Sequence, residues 1–237
     1  MLFFGEVPMT RGRQRQQDAQ PDRDDLFSGE LLCDSLLFER KARESGFFCI
    51  AGIDEAGRGP LAGPVAAAAV VLPNELLIPG LTDSKQVSEK ERDRLFDVIR
   101  EKAVCFGIGI ADERTIDEVN ILQATIIAME RALQHLAPSP DYLLIDALTL
   151  PHVKLPQNGI IKGDCRSHSI AAASILAKVT RDRLMLKLHE QHPRYNFKRH
   201  KGYGTREHLE LLRKYGPCEV HRRTFNPVAR MLKGGQP

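Results

Sequence analysis

The sequence predicts a mixed α/β sheet with helices on its faces and a small helical C-terminal region. Three observations carry this. Two apolar runs, residues 47–53 and 63–72, follow one another with only a glycine-rich turn between them. Downstream, short apolar runs alternate with segments of helical periodicity. After about residue 193 the composition turns basic and aromatic. Strands that first neighbour one another and then alternate with helices build a sheet covered by helices.

Residues 1–30 are expected to be a disordered polar tail. Within them, residues 10–25 mix Arg, Gln and Asp with almost no apolar side chains, too little to offset the entropy of ordering. Arg11, Arg13 and Arg15 leave open a basic arm. Residues 31–46 read as a lead-in helix, since Leu32, Leu36 and Leu37 fall at helical spacing. The body, 47–192, begins with the two strands. Ser88-Glu89-Lys90-Glu91 is a capping box opening a helix with Leu95, Phe96, Ile99 and Ala103 on one face. Residues 104–111 read as a strand. Thr115-Ile116-Asp117-Glu118 is a second capping box, opening a helix whose apolar side holds Val119, Leu122, Ile126, Met129 and Leu133. Residues 142–145 and 159–162 read as short strands, and 169–190 as a long helix whose Ala171-Ala172-Ala173 favours helix and close packing. In 193–237, Tyr195, Phe197, Tyr203, Tyr215 and Phe225 are interleaved with Lys and Arg, as where a chain meets a nucleic-acid backbone or on a solvated basic helix pair.

A length of 237 residues suits one good core with a small appendage. A net charge of +3 permits a polyanionic partner. No apolar run approaches the roughly 20 residues of a membrane span. The five cysteines are scattered, without a C-x-x-C pair, which points to reduced thiols in a cytoplasmic protein rather than zinc or disulfides. Monomer is the default expectation, and neither end shows a clamp-binding peptide.

The chemistry concentrates in acids. Asp54 and Glu55 lie in Gly52-Ile53-Asp54-Glu55-Ala56-Gly57-Arg58-Gly59-Pro60, Asp146 closes Leu143-Leu144-Ile145, and Asp164 follows Lys162-Gly163. Neighbours on a strand face opposite ways, so Asp54 and Glu55 share a site only if the strand bends, bulges or ends there; the glycines suggest an ending. Taken singly, Glu55 reads better as a surface acid and Asp164 as a helix N-cap. Together, acids at strand and loop ends suit hard divalent cations such as Mg²⁺ or Mn²⁺ and hence phosphate chemistry. Walker, Rossmann, zincin and nucleophile-elbow patterns are absent.

The run from Gly52 to Val65 resembles the signature of bacterial ribonuclease HII. Leu81-Thr82-Asp83-Ser84-Lys85, Leu144-Ile145-Asp146-Ala147, Ile161-Lys162-Gly163-Asp164, the segment Ser169 to Asp182 and His200-Lys201-Gly202-Tyr203-Gly204-Thr205 agree with the family in order. The resemblance spans about residues 48–225. It implies an RNase H-like fold and an endoribonuclease. The substrates implied are the RNA strand of RNA–DNA hybrids and duplex DNA containing ribonucleotides, incised 5′ to a lone ribonucleotide to leave 5′-phosphate and 3′-hydroxyl ends. It maps the ligands of two divalent ions, Mg²⁺ or Mn²⁺, onto Asp54, Glu55, Asp146 and Asp164. It also maps readers of the ribose 2′-hydroxyl onto Gly57, Arg58 and Gly59, a junction-sensing tyrosine onto Tyr203, and phosphate contacts onto Ser84 and Lys85. Lys178 is either a further phosphate contact or a partly exposed helix lysine. The sister type, ribonuclease HIII, carries an extra N-terminal domain and lacks Gly-Arg-Gly. Another RNase H-like nuclease and a non-catalytic nucleic-acid-binding module are the alternatives.

Overall fold

The computed structural model describes Met1, residues 34–82, Ser84 and residues 86–234. Its strands are β1 (Ile50–Ala56), β2 (Val65–Val71), β3 (Cys105–Ala111), β4 (Tyr142–Asp146) and β5 (Gln157–Ile160), in the sheet order β3-β2-β1-β4-β5. β1 to β3 run antiparallel, while β4 joins β1 and β5 joins β4 in parallel. β1 is therefore the seam of the sheet, buried on both faces. That position explains why its residues up to Asp54 are buried, whichever way they point.

The helices are α1 (Leu37–Glu44), α2 (Glu89–Lys102), α3 (Glu113–Gln134), α4 (His168–Gln191), α5 (Phe197–His200), α6 (Arg206–Tyr215) and α7 (Val228–Leu232). One face of the sheet, with Ala51, Ile53, Ala67, Ala69, Leu143 and Ile145, packs on Ile126, Ala128, Met129 and Ala132 of α3. The other face, with Ala68 and Val70, packs on Ala172, Ala173, Leu176 and Ala177 of α4 and on Leu95 and Ile99 of α2. α4 presses closest at Gly52, where an added Cβ would stand 2.1 Å from the Ser169 carbonyl carbon. Any side chain at Gly52 would lift α4 off the seam.

Several boundaries differ from the sequence reading, each for a local reason. β1 does not end before the acids: its ladder continues Asp54↔Ala68, Glu55↔Ala67, Ala56↔Ala66. α3 is capped by Asp112, whose carboxylate accepts from the Thr115 amide at 2.9 Å and its hydroxyl at 2.6 Å, rather than by Thr115. Asn120, at φ 71°, breaks α3 and re-caps it by accepting from the amides of Leu122 and Gln123. The break turns Leu122 out to solvent. Ser88 caps α2 by accepting from the Glu91 amide, but the Glu91 carboxylate is engaged by Arg94. β5 closes at Ile160, and the next residues leave the sheet: Ile161 is exposed and Lys162 is left-handed at φ 55°.

The C-terminal region shares a core with the main body: Tyr195, Phe197, Leu212, Val220 and Val228 pack with Leu61, Ala62 and Met185. Tyr195 and Phe197 are thus interior, against the expectation of a nucleic-acid-facing aromatic set; Tyr203 and Tyr215 are exposed. The polar tail and the start of the lead-in helix lie outside the described residues. No helix among the described residues is long and apolar enough to cross a membrane.

Candidate active site

The parallel pairing of β1 with β4 sets the geometry. Ile53 is registered with Ile145, so Asp54 and Asp146 are the next residues on neighbouring strands and share one face. Adjacent strands are about 4.8 Å apart, so the two carboxylates are close neighbours. Asp146 reaches across to the turn Gly163–Cys165, accepting from the Gly163 amide at 2.6 Å. Asp164 sits in that same turn, buried. The turn runs straight into α4, whose first turn is capped by Ser167.

Glu55 is placed differently. The unbroken ladder and strand alternation assign it to the face opposite Asp54. Its backbone amide donates to Asp54 Oδ1 at 2.7 Å, and its carboxylate lies 3.4 Å from the Arg58 guanidinium. Asp54 and Asp146 therefore meet on one face, beside the turn that carries Asp164.

Burial pushes the Asp54 carboxyl well above the usual carboxylate range, and the negative charges of Glu55 and Asp146 push it further. The Glu55 amide and the Ser174 hydroxyl oppose this only in part. Such crowding stores repulsion that a cation relieves. The donors are oxygen only, the set that hard divalent ions prefer.

Around the acids, Ser84 is buried and its hydroxyl accepts from Ser174 at 2.8 Å. Lys85 lies outside the described residues. Lys178 is half-buried, donating to Asp182 at 2.7 Å, and burial lowers its proton affinity.

Directly after β1, Gly57 adopts φ 103°, and an added Cβ would stand 2.0 Å from Arg181 Nε. Arg58 and Gly59 are exposed, with Tyr203 Cε1 3.8 Å from where a Gly59 Cβ would lie. The glycine loop and Tyr203 therefore form one surface. The loop is tied to the C-terminal region by Leu61 N–H to the Gly202 carbonyl, Gly63 N–H to the Val220 carbonyl and Arg222 N–H to the Leu61 carbonyl. The Tyr203 carbonyl accepts from the Thr205 amide at 2.8 Å and from His208 Nδ1 at 2.9 Å.

Sequence reasoning missed the residues that hold this arrangement. Arg181 and Arg222 are almost completely buried against the glycine loop. Glu39 of α1, also buried, accepts from the Ser167 hydroxyl and from the amide and hydroxyl of Ser169, fixing the start of α4. A signal existed for Arg181: it continues the buried stripe Ala173–Ala177 at helical spacing, where a charged residue needs a purpose. Arg222 sits in an Arg-Arg pair without periodicity and carries no such signal.

The family model described as ribonuclease HII matches residues 51–228. The chain belongs to the ribonuclease HII family. It is 57% identical to a ribonuclease HII of Acetivibrio thermocellus over 189 residues, 80% of this chain and 74% of that one. It is 56% identical to that of Bacillus subtilis over 191 residues, 81% and 74% of the two chains. The ribonuclease H2 structure from Pyrococcus horikoshii OT3 superposes with TM-score 0.66 at 26% identity, covering 79% of this chain and 98% of that one. A ribonuclease HIII structure in complex with Mn²⁺ shares the fold at TM-score 0.60 and 19% identity, covering 82% and 72%. The chain is thus an RNase H-fold endoribonuclease of the ribonuclease HII family, a divalent-metal-dependent class.

Proposed function

We propose that Asp54, Glu55, Asp146 and Asp164 hold two divalent ions, Mg²⁺ or Mn²⁺, and that this site hydrolyses the RNA strand of RNA–DNA hybrids and incises duplex DNA 5′ to single ribonucleotides. The carrying observation is the β1–β4 register, which sets Asp54 beside Asp146 while burial and like charge raise the proton affinity of Asp54. When bound, divalent ions supply an activated water and neutralise charge on the leaving oxygen. The chain's own residues do the rest. Asp146 ties the turn carrying Asp164 to the end of β4 through the Gly163 amide. The Glu55 amide orients the Asp54 carboxylate. Gly57, Arg58 and Gly59 bring main chain against the ribose, and only a ribose offers the 2′-hydroxyl. Tyr203, flanking Gly59, stacks on the sugar at the junction. Ser84 and Lys178 support the site from beside it: Ser84 holds the Ser174 hydroxyl, and Lys178 is a half-buried positive charge beside Asp182.

The test is a nicking assay on duplex DNA holding one ribonucleotide, with and without divalent metal, against the same duplex in all-DNA form. Metal-dependent incision confined to the ribonucleotide duplex, leaving a 5′-phosphate, is expected. Cleavage of the all-DNA duplex at a similar rate would favour another RNase H-like nuclease, and binding without incision a non-catalytic module.

A further inference from the structure

The glycine loop is held from behind by two guanidiniums. Arg222 donates to the carbonyls of Gly57 at 2.6 Å, Arg58 at 2.9 Å and Gly63 at 3.0 Å; Arg181 donates to those of Pro64 at 2.9 Å and Ala62 at 3.3 Å. Both side chains are buried, and these bonds go to main-chain oxygens rather than carboxylates. Burying a charge so completely is costly unless its donors are filled by well-placed acceptors. A fork of rigid donors meeting carbonyls from three residues is a task for arginine and not for lysine.

What the fork does to the other side of each peptide follows from planarity. In a trans peptide the C=O and the next N–H point in opposite directions. The cis bonds lie elsewhere, at Ala137-Pro138 and Asn226-Pro227. Drawing the Gly57 carbonyl inward therefore turns the Arg58 N–H outward, and drawing the Arg58 carbonyl inward turns the Gly59 N–H outward. Both residues are exposed, beside Tyr203. The guanidinium carbon of Arg222 lies over the Phe225 ring, 5.0 Å from its centroid, a contact that supports the fork from its other side.

We propose that Arg222 is a positioning residue for sugar discrimination: by holding the Gly57 and Arg58 carbonyls inward it aims the Arg58 and Gly59 amides at the ribose 2′-hydroxyl. This rests on the reading that Gly57-Arg58-Gly59 reads that hydroxyl. Arg181 braces the far end of the same loop. Arg222 touches no substrate; it acts through the loop. Its effect is on the choice of sugar, whereas a buried cation acting by attraction for phosphate would alter every duplex alike.

The experiment uses the full chain and two duplexes, one with a single ribonucleotide and one with a 2′-fluoro-2′-deoxyribonucleotide at the same place. The fluorine is a poor acceptor for amide donors. Wild-type protein is expected to cleave the ribonucleotide duplex much faster; equal rates would overturn the reading of the loop itself. With that ratio established, Arg222→Lys is expected to reduce it roughly tenfold, about the worth of one well-aimed hydrogen bond. The reduction comes from kcat on the ribonucleotide duplex, with duplex Kd in Ca²⁺ nearly unchanged. If Arg222→Lys slows both duplexes equally, or weakens binding to both, the positioning role is overturned while the loop reading stands. Should Arg222→Lys fail to fold by thermal melting, Phe225→Leu, which leaves the guanidinium but removes the ring beneath it, takes its place. A lowered ratio there supports the proposal, and an unchanged ratio overturns it.

Discussion

The acids at the ends of β1 and β4 and the glycine loop that follows β1 are adjacent in sequence and opposite in physical character. At the acids, like charges are buried together, and Asp54 is forced toward its protonated form. At the loop, two buried guanidiniums find carbonyl after carbonyl and leave the main chain fixed. The first region is unfavourable until a cation arrives; the second is complete before any substrate does. The difference separates two tasks. In the proposed reading, cutting uses charge that is held under strain and relieved by metal, while choosing the sugar uses donors that do not move.

Asp54→Asn breaks the comparison hardest. Loss of the central carboxylate is expected to reduce Mg²⁺-dependent hydrolysis by about a thousandfold or more, with hybrid binding retained. The same change is expected to stabilise the metal-free protein at neutral pH. The sign follows from the raised proton affinity: the folded state holds a proton that the unfolded chain has released, so stability falls as pH rises from the ordinary Asp value through the raised one. Asparagine removes that loss. Near-normal turnover, or a lower melting temperature in EDTA, would contradict a strained acid cluster.

Gly57→Ala attacks the loop instead. A methyl group at φ 103° is strained, and it meets Arg181 Nε at 2.0 Å. Cleavage at a lone ribonucleotide is expected to fall about a hundredfold, with a stability loss of roughly 2 kcal/mol. Near-wild-type cleavage by a folded Gly57→Ala protein would show that the loop is less fixed than its hydrogen bonds indicate. Tyr203→Ala should cost less and be more selective. About tenfold is expected on a lone ribonucleotide and about twofold on long hybrids, which present many junction-independent ribose sites. Equal losses on both substrates would remove Tyr203 from junction sensing.

The two regions were not equally legible in the sequence. Asp146 is visible because a carboxylate closing three aliphatics at a strand end is hard to dismiss, even though such aspartates commonly cap turns. The parallel pairing that sets it beside Asp54 was not, since register is a tertiary property that no local pattern encodes. The ending of β1 differs because glycines argue for a break, whereas antiparallel pairing with β2 carries its ladder on to Ala56, past the last β4 partner at Ile53. α3 was misread at its start because Asp112 and Thr115 both carry capping side chains, and only the fold chooses between them. The aromatics of the C-terminal region read as a surface because they alternate with charges. The short helices there bury Tyr195 and Phe197 and expose Tyr203, a choice made by packing against Leu61, Ala62 and Met185.

The smallest effect sharpens the comparison through pH, because the C-terminal scaffold beneath Tyr203 responds in the opposite sense to the acids. His221 Nδ1 accepts from the Cys218 amide, so His221 Nε2 carries the proton and donates to His208 Nε2 at 3.1 Å, and His208 Nδ1 in turn donates to the Tyr203 carbonyl. The chain works only with both rings neutral. Burial, and the neighbouring histidines, push His208 down to about 4 and His221 down to about 3. The unfolded chain takes up protons below about pH 6.5 that the folded one refuses, so stability is lost as pH falls through that window. Each such proton steepens the dependence by about 1.4 kcal/mol per pH unit. In metal-free protein the slope from Asp54 opposes it, so the cleanest background is Asp54→Asn. There, denaturant melts between pH 4 and 7 are expected to show His208→Gln lowering the proton uptake on unfolding by about one. An unchanged slope would mean that His208 is not held neutral in the folded protein.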